Sequence, residues 1–186
     1  MTDKVFRKLT NDGPKLTIEH LPALAEALQI STDDIVMYII PWKLQAAVPL
    51  EISEEEWSKG MKTMRIDSID RLRQALPNLR NDIKAANSFK SFYNFVFEWV
   101  RDGPNAKYLP NDAACDLWEL LFTGRPFPML SKWVNFIKTV HTKSISRDLW
   151  RQTLEFAPIT ANLASYDTDG AWPTAMDDFV EWAKTN

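Results

Sequence analysis

Cys115 is the one cysteine of the sequence, and we consider it with the two histidines, His20 and His141, as a possible nucleophile, base or zinc ligand. Cys115 lies inside a predicted helix beside Asp116, whose negative charge raises a thiol pKa. No base accompanies it in the sequence, so we interpret Cys115 as a core residue. His20, on an amphipathic segment, and His141, at a helix end where the dipole favours a cation, are interpreted as structural. A protein without catalytic residues, metal site or cofactor is therefore expected.

The segment from Ser165 to Gly170 has part of the oxygen spacing of a calcium-binding loop. Ser165, Asp167 and Asp169 place oxygens at positions 1, 3 and 5, and Gly170 occupies position 6. The twelfth position is Met176 instead of the required Glu. The other interpretation is a turn, in which Asp side chains bond to the backbone and Gly170 takes a positive φ. A helical calcium-binding protein of the EF-hand type stays open as the alternative function.

Acidic residues concentrate at the carboxyl end. Residues 141–186 hold seven acids and four bases, a net charge of −3, which equals the net charge of the whole chain. This end therefore favours a basic protein partner, and nucleic acid is not expected as a ligand. The seven acids are Asp148, Glu155, Asp167, Asp169, Asp177, Asp178 and Glu181.

Helical periodicity predicts that two of these acids lie on the outward faces of helices. Asp148 is followed at helical spacing by Gln152 and Glu155, and Asp177 by Glu181 and Lys184. Trp150 and Met176 begin the opposite, apolar faces. The small Ala171 between the two helices would leave a shallow groove for a partner's apolar side chain, with lysines meeting the carboxylates. An ordinary solvated surface is the competing interpretation.

The elements that must position these residues are helical. Five glycines, eleven prolines and the absence of strand-like alternation predict an all-α protein, a compact bundle of short helices. Ser53-x-x-Glu56 is a capping box, and Gly124-Arg125-Pro126 is a helix stop. We predict helices over 17–29, 32–47, 54–64, 68–86, 88–102, 112–122, 127–141, 147–161 and 173–184. The segment 103–111 is the longest predicted loop and divides the chain into halves of about 1–103 and 104–186.

The segment Ile35–Leu44 is apolar nearly all round, which predicts a buried helix or the wall of a pocket. Pro41 removes a backbone hydrogen bond and should bend it, and Met37 offers an adaptable thioether surface. No apolar run approaches the roughly 20 residues of a membrane span, and no apolar leader is seen at the start, so no membrane association is expected. A single cysteine fits a reducing compartment, and we expect the cytoplasm and nucleus.

A longer pattern extends over the carboxyl end of the chain. It reads Asp148-x-Trp150, then Tyr166-Asp167-x-x-Gly170-Ala171-Trp172-Pro173-x-x-x-Asp177-Asp178-Phe179-Val180-Glu181. Earlier segments agree: Ile40-x-Trp42-Lys43-x-x-Ala46, Asp67-Ser68-Ile69, Phe89-Lys90-x-Phe92-Tyr93-x-Phe95, Gly124-Arg125 and Lys143-x-Ile145-x-x-Asp148. Together they resemble the defective-in-cullin-neddylation family, whose domain is the potentiating-neddylation (PONY) domain, over almost the whole chain.

The resemblance implies an all-helical domain with EF-hand-like units that bind no calcium. It also implies a function, that of a co-ligase without chemistry of its own. Such a protein joins the carboxyl-terminal domain of a cullin, within a cullin-associated RING ligase, to the conjugating enzyme charged with the cullin modifier. Many relatives carry a ubiquitin-binding domain ahead of this one, which this sequence lacks. We expect a monomer.

Two sites are implied by the resemblance. An acidic patch that meets the basic winged-helix end of the cullin corresponds to Asp148, Ala171 and Asp177. An apolar pocket takes the N-acetylated Met of the conjugating enzyme. Its lining corresponds to Leu21, Met37, Ile40, Pro41, Leu44, Leu50, Ile52, Trp99, Leu117 and Leu120. Pro41 stands where several relatives have Ala, a departure that bears on the pocket's shape.

Overall fold

The fold is all-α, as predicted, and is given by a computed structural model that describes residues 2–185. Its helices fall into two compact units that divide between Asn105 and Ala106. The first unit contains α1 (Thr2–Thr10), β1 (Lys15–Thr17), α2 (Leu21–Leu28), α3 (Val36–Leu44), β2 (Glu51–Ser53), α4 (Glu54–Thr63), α5 (Ile69–Asp82) and α6 (Ala86–Trp99). The second contains β3 (Tyr108–Leu109), α7 (Asn111–Leu121), α8 (Leu130–Phe136), β4 (Ile145–Ser146), α9 (Arg147–Phe156) and α10 (Thr174–Ala183).

Helix α3 forms the centre of the first unit and packs against α4, α5 and α6. It approaches α4 closely at Gly60, where an added Cβ would lie 2.9 Å from the Cα of Leu44, so only glycine permits this contact. Trp42 of α3 meets Phe92 of α6 edge to face at 5.5 Å. Helix α3 is shorter than predicted because Asp34 accepts a hydrogen bond from the Val36 amide at its start, and Gln45 turns left-handed at its end.

The core of the second unit is a cluster of large aromatic side chains. Trp133 lies at its centre, 5.7 Å from Trp118 and 5.1 Å from Phe179 between ring centroids. Trp118 also stacks on Trp150 at 5.5 Å. These four rings are fully buried, and aromatic pairs of this kind add about 0.5–1.5 kcal/mol each beyond their area. The helices that carry the candidate site, α9 and α10, are thus anchored by their apolar faces.

Each unit also contains one short antiparallel ladder, which the sequence analysis did not predict. In the first unit β1 pairs with β2, with Leu16 opposite Ile52, and in the second unit β3 pairs with β4, with Leu109 opposite Ile145. Leu16 and Ile145 are buried. Strands of two or three residues are too short to show the alternating pattern by which strands are recognised. The EF-hand-like arrangement of the helices stays a prediction.

Helix α1 was also not predicted from the sequence. Phe6 is fully buried and lies 5.8 Å from the ring of Trp57 on α4. Nine residues are too few for a helix that is stable in isolation, so α1 depends on this packing. The predicted helix 127–141 is α8 continued by a π-helical turn, Ile137–His141, and the predicted helix 147–161 is α9 continued by a 3₁₀ turn, Ala157–Ala161. Among residues 2–185, no helix is long and apolar enough to cross a membrane.

Candidate functional site

The first residue of the predicted patch, Asp148, lies in the first turn of α9. The helix begins there because the Ser146 side chain caps it and accepts a hydrogen bond of 3.1 Å from the Leu149 amide. Asp148 is exposed, whereas Leu149 and Trp150 face the core. A carboxylate in the first turn also interacts favourably with the helix dipole. Asp148 is therefore presented to solvent on a rigid, well-capped element.

Ala171 is exposed in the loop that precedes α10. The loop turns at Asp167, whose carboxylate accepts a hydrogen bond of 3.0 Å from the Asp169 amide. Gly170 does not take the left-handed φ that the sequence analysis expected. Its role is close approach, because an added Cβ would lie 3.0 Å from the indole of Trp172. Ala171 therefore lies between Gly170 and Trp172, and the indole of Trp172 packs against Gly170.

Asp177 differs from the fully outward carboxylate that was predicted. It lies in the first turn of α10 and is half-buried, and the hydroxyl of Tyr166 donates a hydrogen bond of 2.6 Å to its Oδ1. Asp178 and Glu181 are exposed, and Glu181 forms an ion pair with Lys184. Periodicity missed the partner of Asp177 because Tyr166 lies on a loop, outside any helical repeat. No local sequence signal identifies this hydrogen bond.

The rings of Tyr166 and Trp172 connect the loop to the end of α9. Tyr166 lies 5.8 Å from Phe156 and 5.8 Å from Trp172, and Trp172 lies 6.1 Å from Phe156. Ala171 and Asp177 therefore belong to one connected cluster. Asp148 stands eight residues before Phe156 on α9, about 12 Å along the helix. The second unit thus carries all three patch residues, with Asp148 and Asp177 on helices and Ala171 on the loop before α10.

The possible calcium loop folds as a turn. The Asp167 carboxylate accepts a hydrogen bond from the amide of Asp169, and the Gly170 amide donates a hydrogen bond of 3.2 Å to the Asp167 carbonyl. Among the side chains of residues 4–185, no three His, Cys, Asp or Glu residues group as metal ligands. The arrangement corresponds to the turn interpretation of this segment.

Cys115 is fully buried within α7, and burial raises the pKa of its thiol to about 12. A thiol with this pKa carries almost no thiolate at neutral pH, so its environment opposes nucleophilic chemistry. His20 accepts a hydrogen bond of 3.0 Å from the Thr17 amide and caps a 3₁₀ turn. His141 ends the π-helical turn, but burial and then Lys143 lower its pKa, against a smaller opposing effect of Asp178. The neutral imidazole is favoured there, contrary to the cation that the helix dipole suggested.

Eight of the ten predicted pocket residues lie in the first unit, and Leu117 and Leu120 lie on α7 of the second unit. Ile40 and Ile52 are fully buried and present no accessible surface. Leu21, Leu50 and Leu120 are half-buried, and the others, Met37, Pro41, Leu44, Trp99 and Leu117, are buried. The pocket assignment stays a prediction.

Leu50 is conformationally unusual. Its φ is +58°, in the left-handed region that a branched side chain rarely adopts. Its amide donates a hydrogen bond of 2.9 Å to the carbonyl of Trp99, the last residue of α6, which holds this conformation. Such strain costs about 1–3 kcal/mol and is concentrated at binding sites more often than elsewhere. Leu50 is therefore the predicted pocket residue with the clearest structural peculiarity.

Comparison with known proteins identifies the family of this all-α chain. The family model described as "Cullin binding" matches residues 71–182, which include Asp148, Ala171 and Asp177. DCN1-like protein 4 of Danio rerio is 35% identical over 167 residues, covering 89% of this chain and 59% of that protein. DCN1-like protein 5 of Homo sapiens is 32% identical over 167 residues, covering 89% of this chain and 70% of that protein. The chain belongs to the Cullin binding family, which confirms the resemblance, and it spans about three fifths to seven tenths of these relatives' length.

Proposed function

We propose that this chain is a non-catalytic co-ligase that promotes neddylation of cullins. It binds the basic winged-helix region of a cullin through Asp148, Ala171 and Asp177, and the N-acetylated terminus of the conjugating enzyme through an apolar pocket. The observation that carries the proposal is the presentation of Asp148 on the capped first turn of α9, within a segment matched by the cullin-binding family. We expect the protein to act as a monomer in the cytoplasm and nucleus.

Proximity is the mechanism that the described side chains support. A scaffold that binds the charged conjugating enzyme and the acceptor together raises their effective concentration and restricts their orientation. It needs no nucleophile, which agrees with the buried, protonated state of Cys115. Rate acceleration then depends on both binding sites at once, and losing either site should remove it.

The pocket would select an acetylated terminus through desolvation. An apolar site cannot solvate an unpaired ammonium group, whose burial costs several kcal/mol. Acetylation removes that charge and leaves an amide that is far less costly to bury. The strained, half-buried Leu50 supports a binding role for this region. Ile40 and Ile52 would support the pocket wall from behind.

A peptide-binding experiment tests the pocket. The wild-type chain should bind the acetylated amino-terminal peptide of the conjugating enzyme and bind the unacetylated peptide markedly less. Leu50→Asp should weaken binding of the acetylated peptide, because a buried carboxylate would face an apolar ligand. Ile18→Asp is the control, since Ile18 is 57% exposed and lies outside the predicted lining. Equal affinity for the two peptides would remove the pocket from the proposal.

A reconstituted transfer reaction tests the co-ligase function. Adding the chain to cullin, RING partner, charged conjugating enzyme and modifier should accelerate cullin modification. The chain with cullin and free modifier alone should give no product. Cys115→Ala should stimulate as wild type does. A thioester formed on the chain, or product formed without the conjugating enzyme, would show that the chain is an enzyme and not a scaffold.

A further inference from the structure

Tyr166 connects two of the patch residues although it is not itself exposed. Its side chain is only 8% exposed, and its hydroxyl lies 2.6 Å from Oδ1 of Asp177. The two residues are eleven positions apart, one on the loop and the other in the first turn of α10. The hydrogen bond therefore ties the loop that carries Ala171 to the helix that carries Asp177.

The ring of Tyr166 is held by packing against its neighbours, independently of the hydrogen bond that its hydroxyl makes. It meets Phe156 edge to face at 5.8 Å, with an interplanar angle of 86°, and lies 5.8 Å from the ring of Trp172. Trp172 in turn packs tightly against Gly170, since a Cβ added there would lie 3.0 Å from the indole. A ring packed in this way holds its hydroxyl in one place, so the donor is preorganised.

The direction of the hydrogen bond follows from protonation. Burial, followed by the hydrogen bond to Asp177 and its charge, raises the pKa of Tyr166 well above its ordinary value. The phenol keeps its proton at neutral pH and donates to the carboxylate. A hydrogen bond to an ionised acceptor is stronger than one between neutral groups. One oxygen of Asp177 is thereby held, and a carboxylate retains further lone pairs for a basic partner.

We propose that Tyr166 is a positioning residue for cullin recognition: it holds the carboxylate of Asp177 and the Ala171 loop in the geometry that meets the basic partner. The inference rests on the proposed function and deepens it. Without the hydroxyl, Asp177 would sample several rotamers, and the complex would have to order it on binding. Preorganisation of this kind strengthens binding by removing the ordering cost.

Tyr166→Phe is the direct test because it retains the ring and removes only the donor. The variant should bind a cullin carboxyl-terminal domain about tenfold more weakly in a calorimetric titration, which corresponds to about 1.4 kcal/mol. Tyr108→Phe is the matched control, since Tyr108 is 55% exposed in the same unit. Unchanged or tighter binding by Tyr166→Phe would overturn the inference.

A double-mutant cycle separates positioning from a general structural effect. If Tyr166 acts through Asp177, then Tyr166→Phe should have no further effect on affinity in an Asp177→Ala background, measured at low salt where the weakened complex is detectable. An equal loss in both backgrounds would overturn the positioning role, even if the variant melts at a lower temperature. Normal binding by Asp148→Ala and Asp177→Ala would instead refute the proposed function itself.

Discussion

At the scale of single residues, Asp148 and Asp177 have different structural roles within the same patch. Asp148 is exposed on a capped turn, whereas Asp177 is half-buried and accepts the hydroxyl of Tyr166. A hydrogen bond to a charged group contributes about 1.5–3 kcal/mol to stability. Changing Asp177 should therefore lower stability as well as cullin binding, while changing Asp148 should affect binding almost alone. Asp148→Ala is the cleaner probe.

Cys115 should be chemically silent in the folded protein. Full burial and a pKa raised to about 12 remove both access and thiolate. We expect N-ethylmaleimide to label the native chain very slowly at neutral pH and the denatured chain rapidly, as measured by intact mass. Because Cys115 is the only cysteine, each adduct reports this site.

A partially destabilised variant provides the control for this labelling experiment. Labelling should accelerate in a variant that destabilises the second unit, such as Phe179→Ala, and it should follow the unfolded fraction of that unit. Rapid stoichiometric labelling of the native wild-type chain, without loss of its thermal transition, would contradict the buried and protonated state of the thiol.

Some residue-level features were predictable and others were not. The exposure of Asp148 and the burial of Trp150 follow from helical periodicity, because their elements are regular. The Tyr166 hydroxyl contact depends on how a loop folds back on α10, which no spacing rule describes. Gly170 was predicted as a turn glycine with positive φ. In the structure its φ is not positive, and the lack of a side chain lets the indole of Trp172 pack closely against it. Tertiary contacts determine both outcomes.

At the scale of elements, α4 shows how strongly a local signal can determine a helix start. The Ser53 hydroxyl accepts from the Glu56 amide at 3.2 Å, and the Glu56 carboxylate accepts from the Ser53 amide at 2.8 Å. Ser53→Ala should lower the free energy of unfolding by about 1 kcal/mol, within the range of about 0.5–2 for lost N-caps.

Ser91→Ala is the matched control for the Ser53 prediction, since Ser91 is exposed on α6 and alanine is the stronger helix former there. Urea denaturation of both variants provides the measurement. Equal stability of Ser53→Ala and wild type would show that the capping box does not stabilise α4.

His141, at the end of the π-helical turn, should make the stability of the protein depend on pH. Burial lowers the pKa of His141 below its ordinary value of 6.5. Between the folded and unfolded pKa values the unfolded chain binds more protons, so stability falls as the pH drops through that window. Wild type should therefore lose more thermal stability than His141→Gln on going from about pH 7.5 to about pH 5.5. A constant difference between the two melting temperatures across this range would contradict the lowered pKa.

Helix existence was easier to predict than helix ends or very short elements. The Ser53 capping box and the left-handed Gly124, with φ of +72°, mark boundaries that the sequence analysis placed correctly. Helix α1 was missed because its stability comes from Phe6 packing on Trp57, not from its charged sequence. The two ladders were missed because main-chain pairing over two or three residues leaves no pattern in the side chains.

At the scale of the whole molecule, the charge distribution agrees with the proposed cullin partner. The net charge of −3 resides in residues 141–186, which include the patch. Opposite charges steer encounter, and salt screens them with a Debye length of about 8 Å at physiological ionic strength. Raising the salt concentration should weaken the cullin complex mainly by slowing association. The chain covers 59% of DCN1-like protein 4, so these expectations concern the region compared.

The central claim is that the patch of Asp148, Ala171 and Asp177 binds the basic winged-helix end of a cullin. Calorimetric titration of a cullin carboxyl-terminal domain into wild type, Asp148→Ala and Ala171→Arg tests it most directly, with Glu26→Ala as a control that removes an exposed acid elsewhere. Loss of a charged contact costs about 2–5 kcal/mol, so Asp148→Ala should bind roughly 30-fold or more weakly. Ala171→Arg should fail through bulk and charge repulsion.

Thermal melts of the same samples decide how the titration is interpreted. Asp148→Ala should remain within about 0.5 kcal/mol of wild-type stability, as exposed substitutions usually do. The predicted result is native-like melting with binding lost in both patch variants and retained in Glu26→Ala. Native-like melting with wild-type cullin affinity in both patch variants would contradict the claim and leave the patch as a solvated surface.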